Sequence, residues 1–264
     1  MALKMLLLCG EGILPVLTKD KARESLEVVA VSCRLFKIHP SLKPDYLLDN
    51  LSLRFLWDIV RKENPSSICF VGKIPKSFVF HEEVMDPQAW SFLSSFEKFT
   101  DREILKGFFD LFTREGIEIV SPLVFLEEWV TEEGLLFGSP PTDREWCDIL
   151  YGQRIARFLA NEEIGQTVVI ARGTVVALEG AEGTDETIRR GLLLSRGGVV
   201  VKVARSNQDF FIDVPTVGAQ TVRVVGEGGG RVLALESRKT ILIDREEVAK
   251  LSRLYGITIL GIPP

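Results

Sequence analysis

Lys4-Met5-Leu6-Leu7-Leu8-Cys9-Gly10-Glu11-Gly12-Ile13-Leu14-Pro15 stands near the start of the chain and decides its fold class. Residues 5–9 are all apolar. A short unbroken run of this kind reads as a strand buried on both faces, as in parallel sheets. Gly10 and Gly12 allow a tight turn, and Pro15 suits the first turn of a helix, where a backbone N–H has no partner anyway. The order is strand, glycine turn, helix. Downstream, residues 26–33 (LEVVAVSC), Ser67–Val71 (SICFV) and 116–121 (GIEIVS) repeat the strand signal, the last after a helix-like stretch over 101–115. Strands separated by helix-length segments predict an α/β fold with a mostly parallel sheet. Phe92, Phe96 and Phe99 recur at helical spacing, as do Phe108 and Phe112, which predicts a helix face packed on that sheet rather than an acyl-chain platform.

Residues 134–142 (GLLFGSPPT) read as a linker, dividing an N-terminal domain over 1–133 from a C-terminal domain over 143–264. After it the texture changes. A helix over 143–160 leads to a hairpin, Thr167–Ala171 and Thr174–Leu178, around Arg172-Gly173. Short strands are expected over 199–203, 210–214, 231–236 and 240–243. Asp244 offers an N-cap for a helix over Arg245–Tyr255 with Gly256 as its stop, and residues 257–260 close the chain as a strand. The second half is a mixed α/β domain.

At 264 residues, with about 150 per domain, one large or two small domains are expected. Hydrophobic residues make up 46% and charged residues 26%, the balance of a globular chain rather than a disordered one. The net charge of −5 argues against nucleic acid as a partner. No apolar run reaches the ~18 residues of a membrane span, and the opening stretch lacks the marks of a signal peptide, so a cytoplasmic chain is expected. Cys9 and Cys69 lie in strand-like runs and read as core residues; Cys33 and Cys147 form no CxxC pair, so no disulfide framework is expected. His39 and His81 are the two histidines, too few for a multi-histidine zinc site.

The glycine turn lacks the third glycine of a dinucleotide fingerprint, since Pro15 stands there, and no acidic residue ends the second strand. That argues against an NAD-linked oxidoreductase. A plain tight turn, or a contact to a nucleotide or sugar phosphate, remains. In the second half, Glu179, Glu182-Gly183-Thr184-Asp185, Lys202, Gln208-Asp209 and Asp213 fall at the ends of short strands, where α/β folds hold ligands. Carboxylates without histidine make an all-oxygen site suited to Mg²⁺ or Mn²⁺, and such an ion lets carboxylates sit beside a phosphate. Lys202, Arg205 and Arg190 are available for the remaining negative charge. The bland readings are that Thr184 caps a helix with Asp185 and Glu186 in its first turn, that Asp213 opens a turn, and that Glu179 is a solvated strand residue.

Taken in order, Gly10-Glu11-Gly12-Ile13-Leu14-Pro15, Gly72-Lys73, the 101–116 segment, Gly165-Gln166-Thr167, Glu182-Gly183-Thr184-Asp185, Val201-Lys202, Gln208-Asp209 and Asp213-Val214-Pro215-Thr216-Val217-Gly218 resemble the LpxI-type UDP-2,3-diacylglucosamine pyrophosphatases along almost the whole chain. The resemblance implies an N-terminal Rossmann-like domain, a C-terminal domain of the family's own type and a ligand cleft between them. It implies hydrolysis of UDP-2,3-diacylglucosamine to UMP and 2,3-diacylglucosamine 1-phosphate, a step of lipid A synthesis, with Mg²⁺ or Mn²⁺. The family's key catalytic carboxylate carries over to Asp213 first and Asp209 second; beside it Lys202 is expected to neutralise the phosphate, Asp213, Asp185 and Glu182 to hold the metal, and Gly10, Gly12, Leu14, Gly72, Lys73, Gln166, Thr184, Gln208 and Thr216 to contact the substrate. The partner is an acylated sugar nucleotide. Peripheral contact with the inner membrane, through the Phe-rich segment 78–99, follows from its acyl chains, and a homodimer stays open. The sequence departs from the family at Phe211, where an arginine is common, at Gly180, and at Ile74-Pro75-Lys76 after the Gly-Lys pair. Those departures leave a second reading, a non-catalytic nucleotide- or lipid-binding sensor.

Overall fold

The computed structural model describes residues 3–75, 78, 81–98, 101–206 and 214–264. The chain forms two compact α/β units, the first running to Glu127 and the second beginning at Glu128.

The first unit is built as β1 (Lys4–Cys9), α1 (Leu14–Ala22), β2 (Glu27–Cys33), β3 (Tyr46–Leu48), α2 (Leu53–Glu63), β4 (Ser67–Val71), α3 (Pro87–Leu93), α4 (Asp101–Arg114), β5 (Glu118–Ile119) and α5 (Leu123–Leu126). Its five strands are all parallel, in the order β3-β2-β1-β4-β5. The opening apolar run is the centre of this sheet. Successive side chains alternate faces. Met5, Leu7 and Cys9 therefore pack with Val28, Ala30 and Cys69 on one side, while Leu6 packs with Val29, Val31, Ile59 and Phe112 on the other. Burying a side chain of this size contributes about 1.5–3 kcal/mol.

Phe108 and Phe112 sit on α4 as the helical spacing predicts, whereas α3 ends at Leu93, so Phe92 is helical but Phe96 lies beyond the helix. Phe108 and Phe112 of α4 meet Phe70 of β4, with ring centroids 6.1 and 5.9 Å away, and the ring of Phe92 of α3 lies tilted 4.8 Å from that of Phe108. Phe96 lies against Gly107, where any Cβ would meet its ring; Phe99 lies outside the described residues. Edge strand β3 is absent from the sequence reading. It has three residues, too few to show a period.

The second unit comprises β6 (Gly134–Phe137), α6 (Asp143–Asn161), β7 (Thr167–Ala171), β8 (Thr174–Leu178), α7 (Thr184–Leu194), β9 (Val199–Lys202), β10 (Thr216–Val217), α8 (Ala219–Glu227), β11 (Val232–Glu236), β12 (Ile241–Leu242), α9 (Arg245–Tyr255) and β13 (Thr258–Ile262). Its main sheet runs β6-β13-β11-β9-β7-β8, parallel through β13, β11 and β9 and antiparallel at both edges, and β10 pairs with β12 beside it. Helix α6 covers one face through Ile149, Ala156 and Leu159. Helices α7, α8 and α9 cover the other through Ile188, Leu192, Val222, Val225, Val248 and Leu251. Gly152 of α6 and Gly191 of α7 let these helices close on the sheet, since a Cβ would stand 2.7 Å from Val201 and 2.8 Å from Val169 respectively.

Two sequence readings change here. The 134–142 stretch is not all linker, because residues 134–137 form β6, paired antiparallel with β13. Four residues between two glycines look like loop by composition, and only the partner strand makes them sheet. Asp244 does occupy the N-cap position of α9, but with φ 54° and no side-chain bond to the helix. No helix among the described residues is long and apolar enough to cross a membrane.

Candidate active site

In the first unit, the loops that follow β1 and β4 are joined by backbone bonds. Gly10 N–H donates to the Val71 carbonyl (2.8 Å), Glu11 N–H to Lys73 (2.7 Å) and Lys73 N–H to Glu11 (3.1 Å). A Cβ on Gly10 would stand 2.6 Å from the Lys73 carbonyl oxygen, so the crossing admits only glycine. Gly12 and Gly72 hold φ near +93° and +92°, which a side chain rarely adopts. Glu11 accepts from the Lys37 N–H (2.8 Å), tying in the loop after β2. The strand order changes direction between β1 and β4, the point where open α/β sheets gather ligands. Gly10, Gly12, Gly72 and Lys73 thus share one loop cluster at that point. Leu14 heads α1 and its side chain packs partly on the core beneath it.

In the second unit, the hydrogen bonds around the start of α7 centre on Thr184. Lys202, the last residue of β9, is 6% exposed and sits opposite Thr167 on β7. Its Nζ donates to Thr184 Oγ1 at 2.8 Å and reaches Thr167 Oγ1 at 3.4 Å. Thr184 Oγ1 in turn donates to Glu179 Oε1 at 2.9 Å. The Gln166 backbone N–H donates to Glu179 Oε2 at 3.1 Å. Gly165 permits this approach, because a Cβ there would lie 2.4 Å from the Glu179 carbonyl oxygen. Thr184 is the first residue of α7 rather than its cap; Gly183 takes the cap position, and the helix has no side-chain cap. The expected capping role is therefore corrected: the hydroxyl is engaged by Glu179 and Lys202. Glu179, read from sequence as a solvated strand residue, is in fact 9% exposed. One signal for it lay in the sequence: it directly follows β8 and stands five positions before Thr184.

The segment after β9 is held as well. Glu236, fully buried at the end of β11, faces Arg157 at 2.7 Å and Lys239 at 3.2 Å and accepts from the Ala204 N–H at 2.8 Å. Arg157 donates to the Ala204 carbonyl at 2.6 Å. Both backbone groups of Ala204, two residues past Lys202, are thereby fixed.

The remaining candidates have other partners. Glu182 accepts from Arg190 (2.8 Å) and Thr187 (3.1 Å). Its own backbone N–H and then the Arg190 guanidinium hold its carboxyl below the ordinary carboxylate value. Asp185 accepts from Thr221 of α8 at 2.8 Å, and Thr216 donates to the Val214 carbonyl at 2.8 Å. The structure therefore brings Gln166, Thr184 and Lys202 into one network and leaves the contacts of Glu182, Asp185 and Thr216 outside it. Gln208, Asp209 and Asp213 lie outside the described residues, as does Phe211. Among the described residues no three His, Cys, Asp or Glu side chains form a metal-binding group. The second unit contains no histidine, so the donors open to a metal there are mainly oxygens, a chemistry that fits Mg²⁺ or Mn²⁺.

Comparison with known families agrees with this division. A family model described as the LpxI N-terminal domain matches residues 4–129, and one described as the LpxI C-terminal domain matches residues 132–260. A protein of Caulobacter vibrioides named UDP-2,3-diacylglucosamine pyrophosphatase LpxI is 26% identical over 275 residues, spanning 99% of this chain and 98% of the relative. Together the two models match almost the whole chain, which belongs to the LpxI family.

Proposed function

We propose that this chain is a hydrolase that cleaves the diphosphate of UDP-2,3-diacylglucosamine, giving UMP and 2,3-diacylglucosamine 1-phosphate in lipid A synthesis. The observation that carries the reading is the pair of family matches, onto a chain whose relative is named for this activity. The geometry supports it. A buried ammonium, Lys202, stands at the uncapped N-terminus of α7, where free backbone N–H groups favour negative charge. The strand order of the first unit supports a Rossmann-like reading of that unit, with Gly10, Gly12, Gly72 and Lys73 bordering the nucleotide.

In the reaction, water oxygen bonds to the sugar-side phosphorus while the bond from that phosphorus to the bridging oxygen breaks, and the bridging oxygen leaves with UMP. Lys202 receives the phosphoryl charge, and Thr184 and the α7 amides orient the group. Asp213, with Asp209, orients the attacking water. Asp213 and Asp185 would hold a divalent cation, which would supply Lewis-acid polarisation of a phosphoryl oxygen. Positioning and charge stabilisation supply most of the acceleration. The two acyl chains call for peripheral contact with the inner membrane from the cytoplasmic side.

The test is incubation of purified protein with UDP-2,3-diacylglucosamine, Mg²⁺ and ¹⁸O-labelled water. UMP release that stops on chelation, with label in the sugar phosphate, is expected. No UMP release would overturn the activity; undiminished release in chelator would overturn the cation; label in UMP would reverse the site of attack.

A further inference from the structure

We infer that Glu179 is a positioning residue for Lys202 and acts through the Thr184 hydroxyl; this rests on the reading of Lys202 as the group that receives phosphoryl charge. Glu179 and Lys202 are both buried, 9% and 6% exposed, and carry opposite charges. Buried opposite charges ordinarily pair in direct contact, because each otherwise suffers the loss of water. These two are instead bridged by one hydroxyl, with Lys202 Nζ 2.8 Å and Glu179 Oε1 2.9 Å from Thr184 Oγ1. The arrangement has a direction. A hydroxyl has one proton and two lone pairs. Donating the proton to Glu179 turns the lone pairs toward the ammonium. Glu179 thus decides which way Thr184 points, and Thr184 decides where Lys202 rests.

The carboxylate is itself fixed. Its second oxygen accepts from the Gln166 N–H at 3.1 Å, and its own backbone N–H donates to the Thr167 carbonyl at 3.0 Å. Holding the two charges one hydroxyl apart leaves the ammonium's charge for a ligand, where a direct carboxylate contact would cancel it. Its three donors are matched by two hydroxyl acceptors among the described residues, the one to Thr167 long at 3.4 Å.

A double-mutant cycle tests this, built from Glu179→Gln, Thr184→Val and the pair together, with Thr184→Ser as the conservative rescue. kcat and KM are read with UDP-2,3-diacylglucosamine, and the Kd of inorganic pyrophosphate is read by calorimetry. Each single change is expected to lower kcat by about 10- to 100-fold, the range for one hydrogen bond to a charged group. The double variant should be no slower than the slower single, and Thr184→Ser should stay within about 3-fold of the parent. Single effects that multiply in the double variant, in both kcat and Kd, would overturn the inference, since Glu179 would then act independently of Thr184. Should Glu179→Gln not fold, Glu179→Asp replaces it; it keeps the charge, withdraws it by one methylene, and is expected to show the same pattern. A parent protein that fails to hydrolyse the substrate but shows the coupling in pyrophosphate binding would sink the proposed activity and keep the positioning role. A parent protein that shows neither hydrolysis nor pyrophosphate binding would overturn both.

Discussion

Removing the Glu236 carboxylate should cost this chain more stability than most single substitutions. The group is fully buried, its Oε1 faces Arg157 at 2.7 Å and Lys239 at 3.2 Å, and its Oε2 accepts the Ala204 N–H at 2.8 Å. Glu236→Ala leaves a largely buried guanidinium without its anion and a backbone N–H without its acceptor. Breaking a buried ion pair from one side costs about 3–5 kcal/mol. At about 2–4 °C per kcal/mol for a chain of this size, the melting temperature should fall by about 6–20 °C. Differential scanning calorimetry or a far-UV melt reads this directly. The control is Arg157→Met with Glu236→Leu, which replaces the closer ion pair by apolar groups, leaves the partly exposed Lys239 to solvent, and should recover part of the loss. Because Ala204 lies two residues beyond Lys202, Glu236→Ala should also slow hydrolysis at temperatures where the protein is folded. A single-variant loss below about 1 kcal/mol would refute the argument, for it would show that water replaces the carboxylate at little cost.

Other outcomes are equally specific. Gly10→Ala drives a Cβ to 2.6 Å from the Lys73 carbonyl oxygen and must push the two loops apart; a loss of about 1–3 kcal/mol and a raised KM are expected, read by urea denaturation and steady-state kinetics. In native protein a thiol reagent should label Cys147 alone, which is exposed, while Cys9, Cys33 and Cys69 are buried; burial pushes the Cys9 thiol up to about 12, so it reacts only on unfolding. Asp86 caps α3 and also accepts from the Arg54 N–H. Burial pushes its carboxyl up, but the Ser52 hydroxyl and the Ala89, Arg54 and Leu53 N–H groups outweigh it and hold the value below 3.8. Its contribution is therefore complete above the unfolded pKa and lost as pH falls through the lower folded value. Asp86→Asn should destabilise the protein at pH 6 and much less at pH 2.5, by urea midpoints at each pH.

The apolar run of β1, the hairpin over β7 and β8 and the helix α9 were legible because each states its own period and its own stops. Strands β3 and β6 were not, since three or four residues carry no period and gain their identity from β2 and β13. The glycine motifs could be read as tight turns, but not the reason Gly10 is required. That reason is the carbonyl of Lys73, which follows another strand.

Residue type and spacing by themselves determined the α/β class, and the ordered motifs carried the resemblance to the LpxI family, because both depend on order along the chain. The fold alone decided that Glu179, Thr184 and Lys202 meet, that Glu182 faces Arg190, and that Asp185 faces Thr221. Hydrogen bonds and burial are set by what lies across the sheet or in the next helix, and a carboxylate's neighbours in space are not its neighbours in sequence.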